Sequence, residues 1–122
     1  MKYRTFQPQF HPGILAGTKT STIRGMPWCQ VGDRVALRYW TGAAYRSKMG
    51  TLGTVIVRQV CPVTIETDKI WINGIEALPF SISQQEGFAS HTEMWAWFQK
   101  THGLPYSGTL TRWDPATLEV AP

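Results

Sequence analysis

Hydrophobic and polar positions along this chain alternate in most stretches and switch to helical spacing in two. Lys2, Tyr3, Arg4, Thr5 and Phe6 alternate and predict an opening strand. Phe10, Ile14 and Leu15 then fall at helical spacing. Pro12 suits a first helical turn and Gly17 a C-terminal cap, so a short helix is expected over residues 12–16. Residues 18–24 are rich in β-branched side chains and read as a strand, followed by a loop at Gly25 and Pro27. Gly32-Asp33 turns the chain into residues 34–40, where Val35, Leu37 and Tyr39 form the face expected to be buried and Ala36, Arg38 and Trp40 the opposite one.

Residues 41–50 form a loop of small residues carrying Arg46 and Lys48. Strands are expected over residues 51–60, 63–66 and 70–72, with Pro62 breaking the ladder after Cys61. Asn73-Gly74 is a two-residue turn signal, and the apolar run over residues 75–80 is cut by Pro79. Ser90-His91-Thr92-Glu93 fits a capping box. Met94, Trp97 and Phe98 after it make the apolar stripe of a longer helix near residues 91–102, with Lys100 in its last turn and Gly103 as its cap. Residues 109–113 close the chain as a strand that Asp114-Pro115 ends. Many short strands with two helices predict an α+β domain, a small barrel-like sheet spanning residues 1–122.

Composition narrows the class further. A chain of 122 residues with 43% hydrophobic and 16% charged side chains buries one core and is not disordered. It has no apolar run near the length of a membrane span, and its N-terminus lacks the apolar centre of a signal peptide. Cys29 and Cys61 stand alone, which predicts buried thiols in a reducing cytoplasm. Twelve basic against eight acidic residues give +4, compatible with a phosphate-bearing partner without selecting one. Six tryptophans are expected to fill core for the most part, with stacking on a base as the sharper alternative.

The candidate chemistry sits in Gly17-Thr18-Lys19-Thr20-Ser21-Thr22-Ile23-Arg24, a polar run between Ile14-Leu15 and Met26/Trp28. It fits either a surface strand with solvated cations or the floor of a site. On a strand Thr22 and Arg24 share a face and Lys19 has the opposite parity, so the three converge only if the chain bends near Gly17-Thr18. In an enclosed pocket, like charge and desolvation push a lysine towards its neutral, basic form. Thr22 beside it could act as nucleophile and Arg24 could hold a developing oxyanion or a phosphate. Glu86, in the polar Gln84-Gln85-Glu86-Gly87-Phe88, could orient Lys19 or move a proton. His11, His91 and His102 are scattered and the cysteines unpaired, so neither a metal site nor a cofactor is expected.

Taken in order, residues 14–24, then Val31-Gly32-Asp33, then Glu86-Gly87-Phe88 with Glu93, Trp97 and Phe98, resemble the ASCH domain family, which is related to the PUA fold, a small β-barrel. The likeness runs over residues 6–98 and rests on G-x-K-x-x-x-x-R, a following GD and a later E-G-F before a helix; it is weaker after Gly103. The chain departs from the family pattern in its tryptophans and in the loop over residues 41–50. Some bacterial members are small amidohydrolases that remove the acyl group from N4-acetylcytidine. The resemblance implies that their catalytic lysine, threonine and glutamate fall on Lys19, Thr22 and Glu86, with Arg24 as the motif arginine. Other members are RNA-binding modules, and some are linked to RNA cleavage. The expected substrate-binding residues are Arg24, Trp28, Trp40, Phe88, Arg46 and Lys48. The expected partner is a modified nucleoside or, in the alternative reading, single-stranded RNA held by Arg24, Arg38, Arg46, Lys48 and Arg58.

Overall fold

Strand β4 (Met49–Ile65) is the spine of the computed structural model, which describes all 122 residues. On one flank β4 pairs antiparallel with β3 (Arg34–Trp40) and, further along, with β5 (Ile70–Ile72). Beyond these lie β1 (Tyr3–Thr5), parallel to β3, and β6 (Ile75–Ala77), antiparallel to β5. On its other flank β4 pairs with β7 (Tyr106–Val120), which in turn carries β2 (Ser21–Arg24). The result is one curled, mixed seven-stranded sheet with three helices, α1 (His11–Ala16), α2 (Pro79–Glu86) and α3 (His91–Thr101). This is the α+β architecture the alternation predicts.

Local signals act where they were expected. Asn73 and Gly74 take positive φ of 52° and 79° and reverse the chain so that Ile72 faces Ile75. The Ser90 hydroxyl accepts the Glu93 amide at 3.2 Å, capping α3, which buries Met94 and Phe98. Gly17 ends α1 in the left-handed region.

Three expectations are corrected. Pro62 does not break β4. Its carbonyl accepts the Asn73 amide at 2.9 Å, so its nitrogen faces the same flank, just past the end of β5, where no ladder bond is lost. Asp114-Pro115 does not end β7: Asp114 pairs with Ile56, and Glu119 resumes the ladder opposite Thr54, extruding residues 115–118 as a bulge. The Thr117 hydroxyl donates to the Asp114 carbonyl (2.6 Å) and accepts the Ile56 amide (2.9 Å), replacing the strand bond that the bulge removes. Residues 79–86 form a third helix, where the sequence pattern predicts only two helices and reads Pro79 as cutting an apolar run. Pro79 opens α2 and Gly87 closes it, but only Ile82 among its apolar side chains is buried while Phe80 stays exposed, so no stripe announces it.

The core has two parts. One holds Phe6, Phe10, Ile14, Trp28, Val35, Leu37, Val55 and Trp113, with Phe6 edge-on to Trp113 at 6.2 Å. The other holds Ile23, Val63, Ile65, Ile70, Met94, Phe98 and Leu110. Phe88 packs against both. Cys29 and Cys61 are free and buried, and burial raises the pKa of each thiol. No helix is long and apolar enough to cross a membrane.

Candidate active site

The run between α1 and β2 is bent, and the bend is built from backbone hydrogen bonds. The amides of Thr18 and Lys19 both donate to the Gly13 carbonyl, at 2.9 and 3.0 Å, and the Thr20 amide donates to Gln85 of α2 at 2.9 Å. The strand proper begins only at Ser21, so Lys19 is not bound by strand alternation and its side chain turns inward.

Lys19 is 3% exposed. Its Nζ donates to the carbonyls of Ser21 (2.7 Å) and Glu86 (2.6 Å) and lies 4.8 Å from the ring centre of Phe10 and 5.6 Å from that of Phe6. Burial is the main cause that lowers its pKa from 10.5 to about 8; the Glu86 charge opposes the shift and Arg24 adds to it. Glu86, at the end of α2, is buried, and its Oε2 accepts the hydroxyl of Ser21, which is fully buried.

Thr22 is buried on the other face of β2, and its hydroxyl oxygen accepts Arg24 Nε at 3.0 Å. The Arg24 guanidinium also donates to the Thr5 carbonyl (2.7 Å) and lies over the Phe6 ring at 5.0 Å. Burial lowers its pKa, and neighbouring Arg4 adds to the shift. Arg24 forms no ion pair, since the two in the structure are Lys2–Asp33 and Arg34–Glu119.

These groups line a cavity of about 290 Å³ between the two cores. Lys19, Thr22, Arg24 and Glu86 line it together with Phe88, Trp97, Thr101, His102 and Tyr106. His102 stacks on Tyr106 with ring centres 4.5 Å apart, and burial raises the Tyr106 pKa. No three His, Cys, Asp or Glu side chains lie together in a group that could hold a metal ion.

Gly87 makes room for the lysine. Its φ is +91°, and a β-carbon there would sit 3.0 Å from Lys19 Cδ and 3.2 Å from Phe10 Cδ1. Gly87→Ala is therefore expected to cost roughly 1–2 kcal/mol from the left-handed backbone alone, and to displace the lysine stem. Urea unfolding measures the first effect and the rate of the reaction proposed below the second.

Of the residues expected to bind substrate, Arg24 and Phe88 line the cavity and four do not. Trp28 is buried in the first core beneath the Arg4 guanidinium (4.9 Å), where its large apolar surface is covered. Trp40 lies at the end of β3 against the ring of Tyr45 (5.1 Å), and Arg46 and Lys48 are exposed on the loop beyond it. Sequence reasoning missed Ser21, although its parity with Lys19 was a usable signal. It also missed Thr101 and His102, at the C-terminal end of α3, and Tyr106, which reaches the cavity only through the turn into β7.

The backbone matches that of the ASCH protein of Zymomonas mobilis. The crystal structure of that protein has a TM-score of 0.56 and 14% identity over 95% of this chain and 68% of the other. A tyrosine mutant of the same protein gives 0.55 and 9% over 95% and 70%. No family model matches the sequence, and a search of curated proteins finds no match. The chain thus has an ASCH-type fold, a small α+β PUA-like barrel.

Proposed function

We propose that this chain is an amidohydrolase that removes the acyl group from an N4-acylated cytidine or a related nucleoside. The observation that carries the reading is a lysine sheltered from water, with its pKa lowered to about 8, sharing one cavity with a threonine hydroxyl and a buried carboxylate. Neutral Lys19 takes the proton as the Thr22 hydroxyl, or a water, adds to the acyl carbon. Arg24 stabilises the charge that develops on the acyl oxygen. The tetrahedral intermediate then breaks its bond to N4, and the leaving amine takes the proton held by Lys19, with Glu86 orienting the transfer. Where Thr22 has attacked, a water hydrolyses the acyl-threonine through the same base. The sum is amide plus water giving carboxylic acid plus amine, and the scheme calls on no metal or cofactor. Phe88, Trp97 and Tyr106 offer planar surface for the base.

Incubation with N4-acetylcytidine, followed by proton NMR, tests the reading. Cytidine and acetate should appear in equal amounts, and the rate should change little between 50 and 200 mM salt. Below pH 8, kcat/KM should rise about tenfold per pH unit, because the neutral amine fraction does so, and level off above it.

A second reading, a single-stranded RNA-binding module, rests on a different observation. Tyr45 is 89% exposed, packs on Trp40, and is followed by Arg46 and Lys48 on the same exposed loop. Such an aromatic and basic surface suits stacked bases and phosphates. No acetate release, together with capture of labelled single-stranded RNA whose affinity falls steeply with salt, would favour this reading and overturn the first.

A further inference from the structure

Lys19 and Glu86 are buried opposite charges lining one cavity, yet they make no ion pair. The hydrogen bonds show what stands between them. Ser21 engages both, its backbone carbonyl accepting Lys19 Nζ at 2.7 Å and its hydroxyl donating to Glu86 Oε2. The backbone carbonyl of Glu86, rather than its carboxylate, takes the second Nζ bond at 2.6 Å. No hydrogen bond engages Glu86 Oε1, so this oxygen is available to a group in the cavity that Glu86 lines.

We propose that Ser21 is a positioning residue that holds the Glu86 carboxylate away from the Lys19 ammonium, so that the amine serves as a base and Oε1 is left for the substrate. Attraction between unlike charges grows as water is excluded, and a carboxylate released from its anchor in such a cavity turns towards the ammonium. A contact pair would keep Lys19 protonated and occupy the free oxygen. Ser21 suits the task because it is fully buried at the first position of β2, where one residue presents its carbonyl to Lys19 and its hydroxyl to the end of α2. The charged and titratable groups around Lys19 are Glu86 from α2 and Arg24 from β2, with Arg4 of β1 acting on Arg24. His102 from the end of α3 and Tyr106 from β7 face the same cavity. Only Glu86 is held by the Ser21 side chain.

The rate arm of the test rests on the amidohydrolase reading; the labelling arm does not. In Ser21→Ala the acidic limb of kcat/KM should move up by about one pH unit, a loss of about tenfold at pH 7 that is recovered by about pH 10. Trace acetylation of Lys19 by acetic anhydride, read by peptide mass spectrometry across pH, should show the same upward shift. Ser21→Thr, which keeps the hydroxyl, should restore the wild-type midpoint. Should Ser21→Ala fail to fold, Ser21→Cys retains the volume with a weaker donor and should show a smaller shift in the same direction. A lower rate with the limb and the labelling midpoint unmoved would mean that Ser21 only fills space, and would overturn the proposal. If the wild type releases no acetate, the function is wrong, but the labelling shift still decides the role of Ser21.

Discussion

Lys19→Met should reduce the release of acetate from N4-acetylcytidine by roughly 10²–10⁴-fold, the range that a positioned acid or base contributes. Methionine is unbranched and of similar length, so it can follow the slot beside Gly13 and Gly87 that the lysine stem occupies. What it cannot do is accept a proton. Lys19→Arg separates the two roles a lysine can play, because a guanidinium keeps the charge and cannot become a base at neutral pH. Both variants should show a loss of that size, and retention of wild-type activity by Lys19→Arg would reduce Lys19 to a fixed cation. Steady-state kinetics with circular dichroism to confirm folding makes the comparison.

The second large effect lies in stability, and its sign follows from linkage. Lys19 has a pKa of about 8 in the folded chain against 10.5 when free. Between those values the unfolded chain binds the proton and the folded chain does not, so stability rises with pH. Below about pH 8 both states are protonated and the contribution is lost. Relative to Lys19→Met, which lacks this titration, the wild type should gain about 2.5 kcal/mol between pH 7 and pH 10. Other groups titrate equally in both proteins and cancel in the difference. Urea unfolding of the pair at the two pH values reads it directly, and parallel curves would mean that the lysine is solvated.

The parts of this fold that were legible in sequence are those fixed by neighbouring residues. Asn73-Gly74 demands its turn, Ser90 caps its helix, and the alternation of Val35 and Leu37 marks the buried face of β3. Pro62 misled because what matters is which flank its missing amide faces, and Pro115 because β7 extrudes it in a bulge and then resumes; both depend on strands paired from elsewhere in the chain. Helix α2 escaped because only one of its apolar residues faces the core.

The candidate site was legible in a different way. Periodicity alone sets Lys19 against Thr22; a polar run before α3 suggests Glu86 as a partner of Lys19, and the likeness to a family motif groups all three. The reason they share a cavity is the bend at residues 17–20, held by the Gly13 and Gln85 carbonyls, which no local pattern encodes. Ser21 went unnoticed because the partner of its hydroxyl, Glu86, lies 65 residues along the chain, and His102 and Tyr106 because of the turn that returns the chain to β7. Trp28 and Trp40 looked like stacking surfaces, but one serves the core and the other the exposed loop.

Titration of Lys19 itself tests the central claim most directly. With lysines labelled at Cε by carbon-13 and the Lys19 signal assigned from Lys19→Met, its chemical shift followed against pH should turn at about 8. A midpoint near 10.5, the value of a lysine in water, would mean that the amine is neither desolvated nor poised as a base, and would contradict the account.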